Sequence, residues 1–375
     1  VLAGNDNITL PTRAESAQAF RAAGGRIAAV LPIHYPRALL RAFGYLPVEV
    51  WGSPGADTGA GSAHLQPYVC SLAHQALAFV HRGAPVDLVL VPHACDTLQG
   101  LGSLLLDLVR PAQPVLTLYL PHGRHATDAD YLAAEYRALY QRLAELTGST
   151  PSNETLISAV RREEQADALL ASLDARRAEL SLAAPDFYRL ARAREYLPAE
   201  DFAALARAAL DGVRPGAAQL APGGVPLLLS GIVPEPEGLL DALAGAGTRV
   251  AGDDLACCGR RLYPPGRSDD PFRRLAESLV GAPPDPTRGS PLRERLDQLI
   301  ALAARSGARG VLFCPLKFCE PEQFDLPVLR RGLQQAGLPS LVLEVDLGER
   351  LSQQSRTRLE VFVEMLAARR PEPAR

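Results

Sequence analysis

Six cysteines carry the most distinctive chemistry open to this chain: Cys70, Cys95, the adjacent Cys257 and Cys258, and the pair Cys314-x4-Cys319. Thiolates are ligands for soft metals, and cubane iron–sulfur clusters are held by them. Val1 to Thr12 lack the basic-then-apolar layout of a secretory signal, so the expectation is a reducing, cytoplasmic setting with free thiols. Metal or redox chemistry then outranks disulfides. No C-x2-C pair of the kind common in zinc sites is present, which ranks iron–sulfur above zinc. A single buried thiol is an ordinary core residue, so the inference rests on where the thiols cluster.

Other groups could assist. His93 stands two residues before Cys95 and could deliver protons near neutral pH. Lys317, the only lysine, precedes Cys319 and could offset the charge of a cluster or an anionic substrate; Glu320 follows it. His122, Arg124 and His125 share the same expected edge, while Asp96, Glu320 and Asp253-Asp254 could cap helices as readily as meet a substrate. The run Gly52–Gly61 lacks G-x-G-x-x-G spacing and reads as a loop. No G-x-x-x-x-G-K-[ST] motif occurs, so any ATP hydrolysis belongs to a partner. A net charge of −3 without long basic runs argues against nucleic acid and anionic membranes as partners. No apolar stretch reaches transmembrane length.

The elements that must position these residues read as an α/β fold. Apolar runs of strand length at Ile27–Leu31, Val48–Trp51, Leu88–Val91 and Val115–Leu120 alternate with helical patterns at Pro36–Phe43, Tyr68–His81 and Leu98–Val109. From Asp128 to about Leu210 the chain reads as amphipathic helices, with Thr150 and Pro151 as one cap and first-turn pair. Alternation resumes with strands at Leu227–Leu229, Thr248–Ala251, Gly310–Phe313 and Ser340–Val345. The helices between and after them are expected at Gly238–Ala244, Pro291–Ala304 and Leu326–Gln335, then from Gln354. The expected domains are 1–127, a helical connector 128–220, and 221–375.

The two alternating regions share one plan, which predicts two Rossmann-like or flavodoxin-like parallel-sheet domains related by an internal pseudo-repeat. Asp87-Leu-Val-Leu-Val-Pro-His-Ala-Cys95 parallels Arg309-Gly-Val-Leu-Phe-Cys314, and each leads through a helix to a proline-led strand. Cysteines thus follow the second and third strands of both halves. Ligands of open α/β sheets sit beyond the carboxyl ends of strands, so two facing domains would bring the six thiols to one cleft.

Several stretches in order carry a more specific likeness: Gly44-Tyr-Leu-Pro-Val-Glu-Val-Trp51, Pro67-Tyr-Val-Cys70-Ser71, Cys95-Asp96-Thr97, Asp253-Asp254-Leu255 with Arg260, and Lys317-Phe318-Cys319-Glu320-Pro321. With Asp186-Phe-Tyr, Tyr196-Leu-Pro and Arg356-Thr-Arg-Leu-Glu360, this set resembles the 2-hydroxyacyl-CoA dehydratase / benzoyl-CoA reductase superfamily over nearly the whole chain. The resemblance implies a [4Fe–4S] cluster on Cys70, Cys95 and Cys319, and an ATP-hydrolysing [4Fe–4S] activator protein that supplies low-potential electrons. It also includes a double-cubane branch, whose [8Fe–9S] cluster takes six cysteines. The thiol count leads to that branch first: a homodimeric reductase of a small molecule, with Cys257, Cys258 and Cys314 as further ligands. The alternatives are one subunit of a heterodimeric CoA-thioester dehydratase or reductase, and a non-catalytic iron–sulfur carrier or zinc-binding relative.

Overall fold

The computed structural model describes residues 9–52, 58–59, 63–83, 85–180, 182–213, 224–234 and 238–369. Most of the glycine-rich run Gly52–Gly61 lies outside the described residues. Eight strands form two four-stranded sheets, both wholly parallel. The first holds β1 (Arg26–Val30), β2 (Tyr45–Glu49), β3 (Leu88–His93) and β4 (Val115–Tyr119) in the order β2-β1-β3-β4. The second holds β5 (Val225–Gly231), β6 (Thr248–Leu255), β7 (Gly310–Cys314) and β8 (Ser340–Val342) in the order β6-β5-β7-β8. The two orders are the same, so the internal repeat read from the sequence is a repeat of topology. Each matches the start of the flavodoxin-like order, with its switch point between the first and third strands of the half.

Strand composition explains the layering. Every residue of β3 and β7 is buried, as expected of inner parallel strands covered on both faces. Helices Asp128–Thr147, Asn153–Ala175, Ala184–Arg192 and Ala199–Asp211 fill the connector. They bind the halves together: Asp128–Thr147 packs on Pro271–Val280, and Asn153–Ala175 packs on Arg37–Ala42 and Ala199–Asp211. One apolar core runs through both sheets. Among the described residues no helix is long and apolar enough to cross a membrane.

Some boundaries differ from the sequence reading for identifiable reasons. β2 begins at Tyr45, right after the left-handed turn at Gly44 (φ +78°), three residues earlier than expected. Pro47 does not stop it, because β2 is an edge strand and can spare a donor. The helix expected from Leu326 begins at Glu320; Pro321 fits its first turn, where no N–H is needed, and Pro327 is tolerated inside it. The expected cap at Thr150 is corrected to Ser152, whose hydroxyl accepts the Thr155 N–H at 3.2 Å. The helix therefore starts at Asn153, beyond Pro151.

Gly231 closes β5 against β7. A Cβ there would lie 2.4 Å from the Cys314 carbonyl oxygen, backbone that cannot swing away. Gly231→Ala should therefore destabilise the protein by roughly 1–3 kcal/mol, the usual cost of overpacking. A denaturant midpoint equal to that of the unaltered protein would contradict this.

Candidate metal centre

The carboxyl ends of β1, β2, β3, β5, β6 and β7 surround one cavity with about 480 Å³ of empty volume. Ile33 comes from the loop after β1, Trp51 from that after β2, Ala94 and Cys95 from that after β3, and Ile232 and Ala256 from the second half. Three thiols face it: Cys70, Cys95 and Cys319. Both halves therefore wall this cavity, but only three of the six thiols that the strand-end argument expected in one cleft line it.

The three cysteines are placed alike. Each is the residue from which a helix springs: Cys70 before Ser71–His81, Cys95 before Asp96–Leu104, Cys319 before Glu320–Gln335. Asp96 and Glu320 are accordingly first helical residues rather than caps. Burial raises all three thiol pKa values, Cys95 to about 12 and Cys319 well above the ordinary range. The first-turn amides oppose that rise: those of Leu72 and Ala73 at Cys70, of Thr97 and Leu98 at Cys95, and of Glu322 at Cys319. The thiols also raise one another, Cys70 acting on Cys95 and both acting on Cys319, which marks them as close neighbours. Three helix N-termini, each equivalent to about half a positive charge, thus converge on a group of thiols in an apolar pocket. Thiols so placed are donors suited to a soft cationic metal, which would hold them as thiolates despite the burial.

The three thiols are soft donors set around a shared cavity. Among the described residues no three His, Cys, Asp or Glu side chains converge tightly enough to hold one metal ion. Three thiols set around a shared cavity suit several irons bridged by sulfide.

The other three cysteines lie apart from this wall. Cys257 and Cys258 are buried just past Ala256, their sulfurs 3.6 Å from each other. Burial lifts the Cys258 thiol well above the usual range, and Cys257 and Asp253 lift it further. Asp253 itself is occupied, accepting the Leu255 and Gly259 N–H groups and pairing with Arg177. Cys314 ends β7, buried, and burial alone pushes its thiol up to about 12.

The assisting groups are scattered. His93 is buried at the end of β3, outside the cavity wall; its ring meets Tyr119 edge-on, and neither ring nitrogen has a hydrogen-bond partner among the described residues. Lys317 is half-exposed and pairs with Glu349 at 3.4 Å and Asp346 at 3.8 Å. Glu320 is exposed. Arg124 pairs with Glu294 at 2.9 Å, and the His125 N–H donates to Asp128. His122 lies beside Gly289.

What sequence reading missed is the charged scaffold behind the thiols. Glu322, on the helix that Cys319 starts, accepts from Arg260 at 2.5 Å and from Arg295 at 2.7 Å. Arg260 also holds Asp254 at 3.0 Å, so the helix is tied to β6 by side chains almost fully removed from water. His34 and Thr287 were also missed. A histidine in an apolar loop gives no signal by itself; the proximity of Asp285 and Thr287, some 250 residues on, gives it meaning.

Comparison with known proteins decides the family. Residues 32–366 match the family described as 2-hydroxyglutaryl-CoA dehydratase, D-component. The chain belongs to that family. Relatives include the lactoyl-CoA dehydratase subunit beta of Anaerotignum propionicum, 27% identical over 90% of this chain and 91% of that protein. The (R)-2-hydroxyglutaryl-CoA dehydratase subunit beta of Acidaminococcus fermentans is 25% identical over 92% and 94%. A benzoyl-CoA reductase subunit of Thauera aromatica is 24% identical over 84% of each chain. The dehydratase-family resemblance read from the motifs is thereby established, and the protein stands among enzymes.

Proposed function

We propose that this dehydratase-family chain is the subunit of a 2-hydroxyacyl-CoA dehydratase, or of a related CoA-thioester reductase, that holds one [4Fe–4S] cluster on Cys70, Cys95 and Cys319. The observation that carries the reading is the convergence of three helix-start thiols from both halves on one apolar cavity. Held by these three thiolates, a four-iron cluster would keep one iron without a cysteine ligand, where it could meet substrate. Bound there, the cluster would supply low-potential electrons. The chain's own residues exclude water through Trp51, Leu72, Leu98 and Leu316, and orient the thiols through the helix starts. The absence of a nucleotide-binding P-loop supports a separate ATP-hydrolysing iron–sulfur activator as electron donor, in the same reducing cytoplasm. The relatives are each named as one subunit of a larger enzyme, two of them as beta subunits, which supports assembly with a second, different chain.

The double-cubane reading, a homodimeric reductase with an [8Fe–9S] cluster, is favoured by the number of thiols and by the position of Cys257 next to the cavity-lining Ala256. The placement of Cys258 and Cys314 favours the single cluster. Replacing Cys257, Cys258 and Cys314 together with alanine separates the two. Iron content after anaerobic reconstitution should stay at about four per chain. A fall from about eight irons to four or fewer would install the six-thiol form instead.

A further inference from the structure

An apolar cavity that hosts reduction needs protons as well as electrons, and the wall around the thiols offers few. Among the described lining residues only Thr97, Thr287 and the Trp51 indole carry N–H or O–H groups besides the thiols, and the indole is committed to Glu49 at 3.0 Å. A second cavity lies nearby with the opposite character. It has about 610 Å³ of empty volume, and Tyr35, Arg37, Glu163, Asp167 and Tyr263 are among its walls. Asp167 and Glu164, with 19% and 16% of their side chains exposed, bring it to water. Among the described residues the Nη1 groups of Arg37 and Arg194 there find no hydrogen-bond partner, which suits a cavity holding water.

His34 stands between the two cavities. Its Nδ1 is 3.5 Å from the hydroxyl of Tyr263, on the polar side. Its Nε2 is 3.4 Å from the hydroxyl of Thr287, on the thiol side, and 3.4 Å from Asp285 Oδ2. The Thr287 hydroxyl donates to Asp285 Oδ1 at 2.6 Å, which fixes Thr287 beside the ring. The backbone is held unusually too: Ile33 and His34 have φ of +30° and +61°, a left-handed geometry that side-chain-bearing residues rarely adopt. A satisfied core histidine is the bland account of such a ring. It does not explain why its two hydroxyl neighbours open onto different cavities.

We propose that His34 relays protons from the polar cavity to the thiol cavity, with Tyr263 and Thr287 as its two terminals. Tyr263 passes its hydroxyl proton to Nδ1 as the Nε2 proton passes to Thr287 Oγ1. Thr287 then turns its own proton from Asp285 into the cavity, to a basic atom of the reduced substrate. Water in the polar cavity reprotonates Tyr263, and His34 regains its first tautomer when a proton released in the thiol cavity passes outward along the same path, from Thr287 to Nε2 as the Nδ1 proton returns to Tyr263 and Tyr263 gives its own to water. One proton crosses each way and no electron moves. Arg261, Arg288, Tyr263 and Asp285 are the charged and titratable groups that act on His34 or contact it; burial keeps the ring neutral, the form that can switch tautomers. The role of the relay rests on the cluster reading of the thiol cavity, but the wire itself is a property of the metal-free chain.

The test therefore begins without metal. In metal-free protein labelled with 15N-histidine, the His34 ring N–H, identified by its loss in His34→Gln, is followed for exchange with water. Tyr263→Phe should slow that exchange at least about tenfold, whereas Tyr35→Phe, a phenol of the same cavity off the wire, should not. Equal rates in Tyr263→Phe and the unaltered protein would overturn the relay, as would equal slowing by Tyr35→Phe. In iron-loaded protein assembled with its partners, Thr287→Val should slow turnover of the probe lactoyl-CoA by about a hundredfold and leave reduction of the cluster by dithionite unchanged. Turnover unaffected by Thr287→Val would overturn the inner half of the wire. A protein that binds no iron would refute the cluster reading while leaving the exchange result to stand.

Discussion

Replacing Cys319 with alanine is expected to cost the protein its bound iron. Among the described lining residues Cys319 is the one thiol that the second half contributes to the cavity, so its loss leaves two thiols, both from the first half. Losing an outer-shell partner of a metal ligand typically weakens metal binding by roughly 10–100-fold, and losing a ligand outright should exceed that. The fold should survive, because Cys319 begins a helix without a side-chain cap bond and alanine removes only a sulfur. The metal-free variant should therefore melt close to the metal-free parent, while iron and visible absorbance after anaerobic reconstitution fall to traces. The same result is expected for Cys70→Ala. Full iron retention in Cys319→Ala would separate the second half from the site.

Replacing Arg260 with alanine should be the most damaging change to stability. Its guanidinium is fully buried and serves Asp254 and Glu322 directly, with Asp285 at 3.9 Å. Removing one partner of a buried ion pair leaves the others charged and unpaired, at a cost of about 3–5 kcal/mol. The direction of the carboxylate shifts agrees. Burial alone would raise Asp285 and Glu322, yet Arg260, with His34 at Asp285 and Arg295 at Glu322, holds both below the usual range. Carboxylates depressed in the fold contribute stability above their unfolded pKa, near 4, and that contribution is lost as pH falls through the lower folded values. Arg260→Ala should thus unfold at lower denaturant, with the gap from the parent widest near neutral pH and narrowing as pH falls below about 4. Because Glu322 sits one turn into the helix that Cys319 starts, the variant should also bind iron less firmly. Denaturant midpoints at pH 7 and pH 4, equal for parent and variant, would contradict the account.

The fold was legible because both halves repeat one alternation of buried strand and amphipathic helix, and strands buried on both faces read as apolar runs. Cys70, Cys95 and Cys319 were singled out by the family resemblance, whereas their shared position before a helix was not legible: the sequence reading put Cys70 inside a helix from Tyr68 and began the helix after Cys319 only at Leu326. Cys257, Cys258 and Cys314 fall near strand ends as well, but whether a side chain faces a cavity depends on the orientation of single residues. Cys257 and Cys258 turn past Ala256 to face each other, and no spacing rule encodes that. His93 shows the same limit: two residues from Cys95 in sequence, it packs against Tyr119 and Gly102 instead of the cavity. The Arg260–Glu322–Arg295 scaffold joins residues from separate elements; Arg260 and Asp254 were quoted among the family-like stretches, but nothing in the sequence pairs them with Glu322 and Arg295.

The central claim is that the helix-start thiols of the two halves hold one four-iron cluster. Iron and acid-labile sulfide, measured on the unaltered chain purified without oxygen, test it most directly. The account predicts about four of each per chain and a brown protein that bleaches on reduction. A colourless protein carrying stoichiometric zinc, or one with about eight irons per chain, would contradict it.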